Sequence, residues 1–318
     1  MKNKNKDIEY CGVDEDSIKN ASPKLDWKNI KILYEWIEER YKIHLKKDVR
    51  GEEYPWTEDD ILKRYRFCNV RREHDRQSRW LIENISTNEN LSYSNKLLNT
   101  VLFRIFNKYQ TINIFGLIDF ENVDWEEIRY RIKNFSREKY NFFTNAFLTS
   151  GIKNAIKSSF PKENLVMGAI RLVNKYRGEK IIGKIKGAQN QLEVFNLLKK
   201  KKGLGDFLAY QLFVDFTYIP SFPFSENEFV VAGPGCKKGL DLIFRDFGPM
   251  SYEEALFWMR DNQHEIFEDF GYNPEKLFSD IPKRDRMLNI MSLENIMCEF
   301  SKYYRILMRN GKTRLYRK

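Results

Sequence analysis

Asp215 is a lone acid inside the apolar run Leu212-Phe213-Val214-Asp215-Phe216. A carboxylate there must be paired, bind a cation, or hold its proton with the raised affinity of a general base. A buried structural salt bridge is the competing account. A second concentration of polar chemistry lies in Tyr65-Arg66-Phe67-Cys68-Asn69-Val70-Arg71-Arg72-Glu73-His74-Asp75-Arg76-Gln77-Ser78-Arg79-Trp80. Placed on a helix, Asn69, Arg72, Arg76 and Arg79 are spaced three, four and three and share a face, with Glu73 and Asp75 on its flanks. Arginines held by carboxylates in a partly buried helix suit the polarising of a phosphoryl group or the positioning of DNA. A solvated, salt-bridged helix would explain the charges, but not their setting among Phe67, Cys68 and Trp80.

Three further segments carry glycine or charge in patterns with a physical meaning. In Leu197-Leu198-Lys-Lys-Lys-Lys-Gly203-Leu204-Gly205-Asp206-Phe207 one helix ends, two glycines flank an apolar residue, and another apolar helix begins. This is the form of a helix-hairpin-helix, whose turn presents backbone N–H groups to a DNA phosphate without reading sequence. Gly203 and Gly205, with Lys201 and Lys202 of the lysine run, are the DNA-binding candidates; an ordinary helical hairpin with a solvated lysine run is the other reading. In Ala232-Gly233-Pro234-Gly235-Cys236-Lys237-Lys238-Gly239-Leu240 a glycine-rich turn enters a helix bearing two lysines. Amides, helix dipole and the ammonium groups of Lys237 and Lys238 can converge there on one phosphate, or the segment is a structural turn. It is not a Walker A sequence, and neither is Asn310-Gly311-Lys312-Thr313, which lacks the earlier glycine. In Leu293 to Tyr303, Glu294, Cys298 and Lys302, or Glu299 and Lys302, would share one side of a helix, a spacing that reads first as intrahelical ion pairs.

Helices must position these groups. Ile30, Leu33, Trp36, Ile37 and Tyr41 recur at threes and fours, the mark of an amphipathic helix. Gly51 to Pro55 breaks that pattern, and Thr57 with Asp60 reads as the start of the next helix. Further helical patterns cover Asn95 to Asn107, Trp125 to Phe135, Asn164 to Tyr176, Ala188 to Lys199, Phe207 to Asp215, Tyr252 to Phe270 and Leu293 to Met308. Phe229-Val-Val-Ala is the best strand signal. The expectation is an all-α, mainly helical chain: a flexible lead-in over residues 1–25, then a single helical domain over 26–318 with two lobes and the hairpin at about 188–217.

The 318 residues include 55 Lys and Arg against 45 Asp and Glu, a net charge of +10, with 42% hydrophobic and 15% aromatic residues. That composition excludes a disordered chain. The basic excess suits polyanionic partners, and equally suits a lysine-rich soluble surface. No apolar run is long enough to cross a bilayer, and the N-terminus does not have the form of a secretory signal. Cys11, Cys68, Cys236 and Cys298 have neither disulfide nor metal-ligand spacing. A cytoplasmic, monomeric protein is expected.

Taken together the segments resemble one family. Tyr54-Pro-Trp56-Thr57-Glu-Asp59-Asp-Ile61-Leu62 running into Arg66 to Arg76, Gly233-Pro234-Gly235-Cys236-Lys237-Lys238-Gly239-Leu240, and Glu294-Asn295 through Cys298-Glu299 to Lys302-Tyr303 are similar, in order, to the phage 5-hydroxymethyluracil (5-hmdU) DNA kinases. These are grouped with the α-glutamyl/putrescinyl-thymine pyrophosphorylases in the helix-hairpin-helix DNA glycosylase superfamily. The resemblance spans roughly Trp27 to Arg305.

It implies transfer of phosphate from ATP to the 5-hydroxymethyl group of a uracil base in double-stranded DNA, a step of phage thymine hypermodification in the cytoplasm of the infected host. The alternatives are the pyrophosphorylase-type chemistry of the sister group on an activated thymine, and a non-catalytic DNA-binding protein. On the kinase reading the catalytic residues are Asp215, Asp75, Arg72, Arg76, Asn69 and Glu73, with Asp215 or Asp75 as general base and Arg72 and Arg76 on the transferred group. Gly233, Gly235, Lys237, Lys238 and Lys302 would hold phosphate, and Glu294 and Glu299 would hold Mg²⁺. The glycosylases of this superfamily carry an attacking aspartate a short way beyond the hairpin, in a Val-Asp context. Phe229-Val-Val-Ala-Gly233 has no acid there, so base excision is not expected.

Overall fold

The computed structural model describes residues 13–136, 140–144, 150–308 and 315. Cys11, the first twelve residues of the expected lead-in, and Asn310 to Thr313 lie outside that set. In chain order the α-helices are α1 (Glu15–Lys19), α2 (Trp27–His44), α3 (Asp60–Arg64), α4 (Arg76–Leu81), α5 (Tyr93–Phe106), α6 (Tyr109–Phe115), α7 (Trp125–Ser136), α8 (Ser150–Ser159), α9 (Leu165–Gly178), α10 (Ile181–Lys186), α11 (Gln191–Lys199), α12 (Asp206–Thr217), α13 (Pro234–Ile243), α14 (Tyr252–Phe267), α15 (Pro274–Leu277) and α16 (Ile290–Leu307). Among the described residues the single sheet is a two-stranded antiparallel pair, β1 (Lys24–Leu25) with β2 (Phe244–Asp246). The chain is mainly α-helical. No described helix is long and apolar enough to cross a membrane.

The chain divides into two compact units: one of residues up to Ile43, Glu52–Arg66 and Ala232 onward, the other of His44–Gly51 and Phe67–Val231. In the first unit the helical stripe of α2 is buried as its spacing requires, with Ile30, Leu33, Trp36, Ile37 and Tyr41 all inside. Its densest packing is α13 against α16, and two glycines one turn apart allow it. A Cβ on Gly239 would lie 2.2 Å from the Met297 carbonyl oxygen, and one on Gly235 would lie 2.5 Å from Cys298 Sγ. The backbones approach because those side chains are missing. Ser251 and Glu254 close a reciprocal capping box at the start of α14. The Tyr303 hydroxyl donates to Asp59 Oδ2 at 2.6 Å, tying α16 to the cap of α3.

The second unit is built round α5, whose residues from Leu97 to Phe106 are all buried. Asn95 and Asn99, one turn apart on that helix, accept the amides of Phe120 and Ile118 at 3.0 and 2.9 Å, so the following loop is bonded to the core helix. Helix α12 is buried along almost its whole length, which explains why its apolar residues show no one-sided stripe.

Four expectations meet a different outcome. Within the expected flexible lead-in, Glu15–Lys19 form α1 and Lys24–Leu25 form β1. The cap of α3 is Asp59, whose carboxylate accepts from the amides of Ile61 and Leu62 at 2.8 Å, while Thr57 hydrogen-bonds Glu39 and the Asp59 amide. Phe229, Val230 and Ala232 are buried, but the segment pairs with no described strand; these apolar residues serve packing, and the sheet forms from Lys24–Leu25 and Phe244–Asp246 instead. Finally, Tyr65 to Trp80 is not one helix. Arg72–His74 is a single 3₁₀ turn, Asp75 is extended, and α4 begins only at Arg76.

Candidate functional site

In the second unit Asp215 of α12 is fully buried and bonded by two arginines. Its Oδ1 accepts from Arg72 Nη2 at 2.8 Å and from Arg104 Nη2 at 2.6 Å, and its Oδ2 accepts from Arg104 Nε at 2.6 Å. Arg104 also donates to Asn107 Oδ1 at 2.9 Å. Burial works against both guanidinium charges. For Arg72 the Asp215 carboxylate outweighs it and proton affinity rises; for Arg104 burial, reinforced by the second guanidinium, prevails and proton affinity falls. Arginine's ordinary affinity is so high that both remain cations at neutral pH. A general base needs an oxygen that can reach a substrate hydroxyl. Asp215 is sealed and occupied on both oxygens, so of the two sequence readings the structure gives the buried salt bridge, and the assignment of Asp215 as base is corrected.

The preceding segment explains how Arg72 reaches that triad. The Asn69 amide donates to Asp75 Oδ1, and the Asn69 side chain donates to the His74 carbonyl, both at 2.8 Å. These side-chain bonds satisfy the backbone in a closed loop and replace the helix expected from spacing. Asn69, Arg72, Arg76 and Arg79 therefore do not share one helical face. Arg72 is buried, while Arg76 is exposed, with its guanidinium 5.8 Å from the centre of the Tyr109 ring. Glu73 pairs with buried Arg71 at 3.6 Å. Asp75, the second candidate base, braces the loop through Asn69.

The hairpin has the expected form, α11, a glycine turn and α12, with Leu204 buried between the two glycines. Gly203 is required twice over. Its φ is +92°, and an added Cβ would lie 2.8 Å from Ala155 Cβ of α8. The lysines divide. Lys199 pairs with Asp206 at 2.9 Å, and Lys201 pairs with Glu179 at 2.6 Å with its side chain only 9% exposed. Lys200 and Lys202 are exposed. Of the two lysine candidates, Lys201 is committed to an ion pair within the fold, Lys202 faces solvent, and Lys200 joins it.

In the first unit the Gly-Pro-Gly segment enters α13 with Gly233 as a cap that has no side chain and Pro234 in the first turn. Two carboxylates already occupy the approach: the Ala232 amide donates to Glu253 Oε1 at 2.9 Å, and the Gly233 amide to Glu294 Oε1 at 3.2 Å. Both glutamates are buried. Negative charge is supplied from within, so a phosphate there would meet two carboxylates, and the geometry favours the structural turn. Gly235 serves the approach to α16. Lys237 lies 5.1 Å from the centre of the Tyr252 ring, Lys238 is exposed, and Lys302 is paired with Glu299.

That pairing also tests the Mg²⁺ assignment. Glu294 and Glu299 are five residues apart on α16, about 140° round the helix at 3.6 residues per turn. One holds a backbone amide and the other a lysine, so the pair does not fit a shared divalent ion. Burial raises the thiol of Cys236 well above its usual range and pushes that of Cys298 up to about 12, so neither is a nucleophile.

Two members of the buried cluster escaped sequence reading. Arg104 is a lone cation in Val101-Leu102-Phe103-Arg104-Ile105-Phe106, the mirror image of Asp215, and that symmetry was the available signal. Tyr218, just past α12, has its hydroxyl proton held well above the ordinary range by burial and by the charge of Glu226; nothing in its sequence context marks it.

Residues 28–313 match the family described as 5-hmdU DNA kinase, helical domain, and the chain belongs to that family. A curated relative, named 5-hmdU DNA kinase, from Bacillus phage SP10, is 28% identical over 281 residues, covering 84% of this chain and 43% of the relative. The chain thus spans less than half the length of that relative. No solved structure matches it.

Proposed function

We propose that this chain acts in the phosphorylation of 5-hmdU in DNA. The hydroxymethyl oxygen attacks the γ-phosphorus of ATP, the bond from that phosphorus to the bridging oxygen breaks, ADP leaves, and the hydroxyl proton passes to a base. The observation that carries the reading is the match of residues 28–313 to the helical domain of the 5-hmdU DNA kinases. The α11–α12 hairpin supports it as a grip on the DNA backbone, with Gly203 shaping the turn and Lys200 and Lys202 facing solvent. Product formation from ATP on hydroxymethyluracil DNA tests it.

A narrower reading is favoured by one observation. The chain spans 43% of its relative, and the Asp215, Asp75, Glu294 and Glu299 side chains are bonded within the fold. On that reading the chain holds the DNA, and the remaining length of such relatives supplies the phosphoryl transfer. Both readings require the hairpin to meet DNA. Replacing Lys200 and Lys202 by alanine is expected to flatten the dependence of log affinity on log salt by about 1.8, at about 0.9 per lost phosphate contact. Lys201→Ala should leave that slope unchanged. Equal slopes for the wild type and the double variant would remove the hairpin from the interface.

A further inference from the structure

In the second unit the surface beside the hairpin concentrates the charge of the chain. From Lys175 to Lys202 there are nine lysines and arginines against two acids, Glu179 and Glu193, a net +7 in 28 residues where the whole chain carries +10. The segment is folded back on itself. The Tyr176 hydroxyl donates to the Lys202 carbonyl oxygen at 2.5 Å, Lys201 pairs with Glu179 at 2.6 Å, and α10 packs on both α9 and α11. The end of α9, α10 and the hairpin turn are thereby one surface. Among the described residues Lys199 and Lys201 are the cations of this stretch that a carboxylate neutralises. Lys175, Arg177, Lys180 and Lys184 are exposed, as are Lys200 and Lys202. Glu193 is held by the Gln189 amide at 2.8 Å.

A glycine on the same surface points outward as well. Gly183 lies inside α10, is exposed, has no positive φ, and nothing stands within 4 Å of the Cβ that another residue would add. Glycine is the poorest helix former after proline. Gly203 is required by its φ and its neighbours; Gly183 is required by neither. A glycine the fold does not need, between Lys180 and Lys184, leaves room for a partner to come close to the backbone. An anionic membrane would draw apolar side chains into its interface beside the cations. Helix α10 instead keeps Ile181 and Ile185 buried and turns Gly183, Lys184 and Lys186 outward. A DNA duplex, with one phosphate charge per about 1.7 Å of axis, suits closely set cations on a surface without apolar anchors. We infer that the end of α9 and α10 form a second phosphate contact, continuous with the hairpin, across which the unmodified duplex beside the target base runs. That the polyanion is DNA rests on the proposed function; that this surface binds a polyanion does not. Contacts to phosphate carry no preference for sequence or for base modification.

The test is fluorescence anisotropy of the full chain with a labelled duplex, either unmodified or containing 5-hydroxymethyluracil, over a series of salt concentrations. Replacing Lys175, Lys180 and Lys184 together by alanine should flatten the dependence of log affinity on log salt by about 2.7, at about 0.9 per lost phosphate contact, and equally on both duplexes. Gly183→Leu should bind several-fold more weakly with the wild-type slope. Its thermal midpoint should be kept or raised, because leucine favours a helix and meets nothing in the fold. A triple variant with the wild-type slope overturns the second contact, and the hairpin then stands alone if the Lys200 and Lys202 pair still changes the slope. Gly183→Leu binding as tightly as wild type overturns the path of the duplex over α10. A wild type that binds no duplex overturns this surface and the hairpin together, whether or not vesicles of anionic phospholipid take the place of DNA. The predicted slopes in a chain that supports no phosphorylation would count against the proposed transfer and not against this surface.

Discussion

Asp215→Asn is expected to destabilise the second unit by about 3–5 kcal/mol, the usual result of removing one partner from a buried ion pair. The asparagine keeps the size of the side chain but not its charge. Arg72 and Arg104, both buried and both bonded to Asp215 within 2.8 Å, would be left as two like charges without the carboxylate that joins them. The sign of the effect separates the two readings of this residue. A catalytic base replaced by its amide loses turnover and keeps its unfolding midpoint; a buried counter-ion loses the midpoint first. Urea denaturation of wild type and variant decides between them, and equal midpoints would contradict the structural role. Replacing the whole triad with apolar residues (Arg72→Met, Arg104→Met, Asp215→Leu) should cost less than Asp215→Asn alone, because no charge is then left unpaired.

The second large effect is expected at Gly239. Alanine there would put a methyl group 2.2 Å from the Met297 carbonyl oxygen. The obstacle is backbone on a buried helix, which cannot rotate away, so α13 and α16 must separate. The cost should reach the upper part of the overpacking range, about 3 kcal/mol. Gly235→Ala meets the Cys298 side chain at 2.5 Å. A thiol can change rotamer, so the loss should be smaller, about 1 kcal/mol. Thermal unfolding of the two variants gives the order. A Gly239→Ala protein as stable as wild type would mean that the close approach of these helices is not required. If the glycines served phosphate binding instead, both substitutions would weaken nucleotide affinity and spare stability.

The helices were legible where one face of a segment is buried and the other is wet. The stripe of Ile30, Leu33, Trp36, Ile37 and Tyr41, the two closing helices, and the hairpin with its glycine turn all follow from spacing and turn chemistry. What spacing could not show is where a side-chain bond replaces a backbone one. Asn69 and Asp75 close a loop in a segment whose arginines have helical periodicity, and periodicity counts positions, not hydrogen bonds. Glycines were ambiguous for a related reason. A glycine that lets two helices touch and a glycine that exposes an amide to phosphate are the same letter, and only the position of Met297 and Cys298 distinguishes them. Carboxylates were ambiguous in the same way. Asp215, Glu253, Glu294 and Glu299 are all spent on partners within the fold, and three of the four sit in contexts that also suit catalysis or metal binding. The resemblance of the ordered segments to the 5-hmdU DNA kinases carried the family where the individual residues did not carry their roles.

The most direct test is to incubate the purified chain with ATP, Mg²⁺ and duplex DNA containing 5-hydroxymethyluracil, digest the DNA to nucleosides, and weigh them by mass spectrometry, with thymine DNA as control. The account predicts one added phosphate on the hydroxymethylated nucleoside and none on thymidine. Unchanged nucleosides from DNA that the protein demonstrably binds would contradict it, and would assign this chain the holding of the DNA without the transfer.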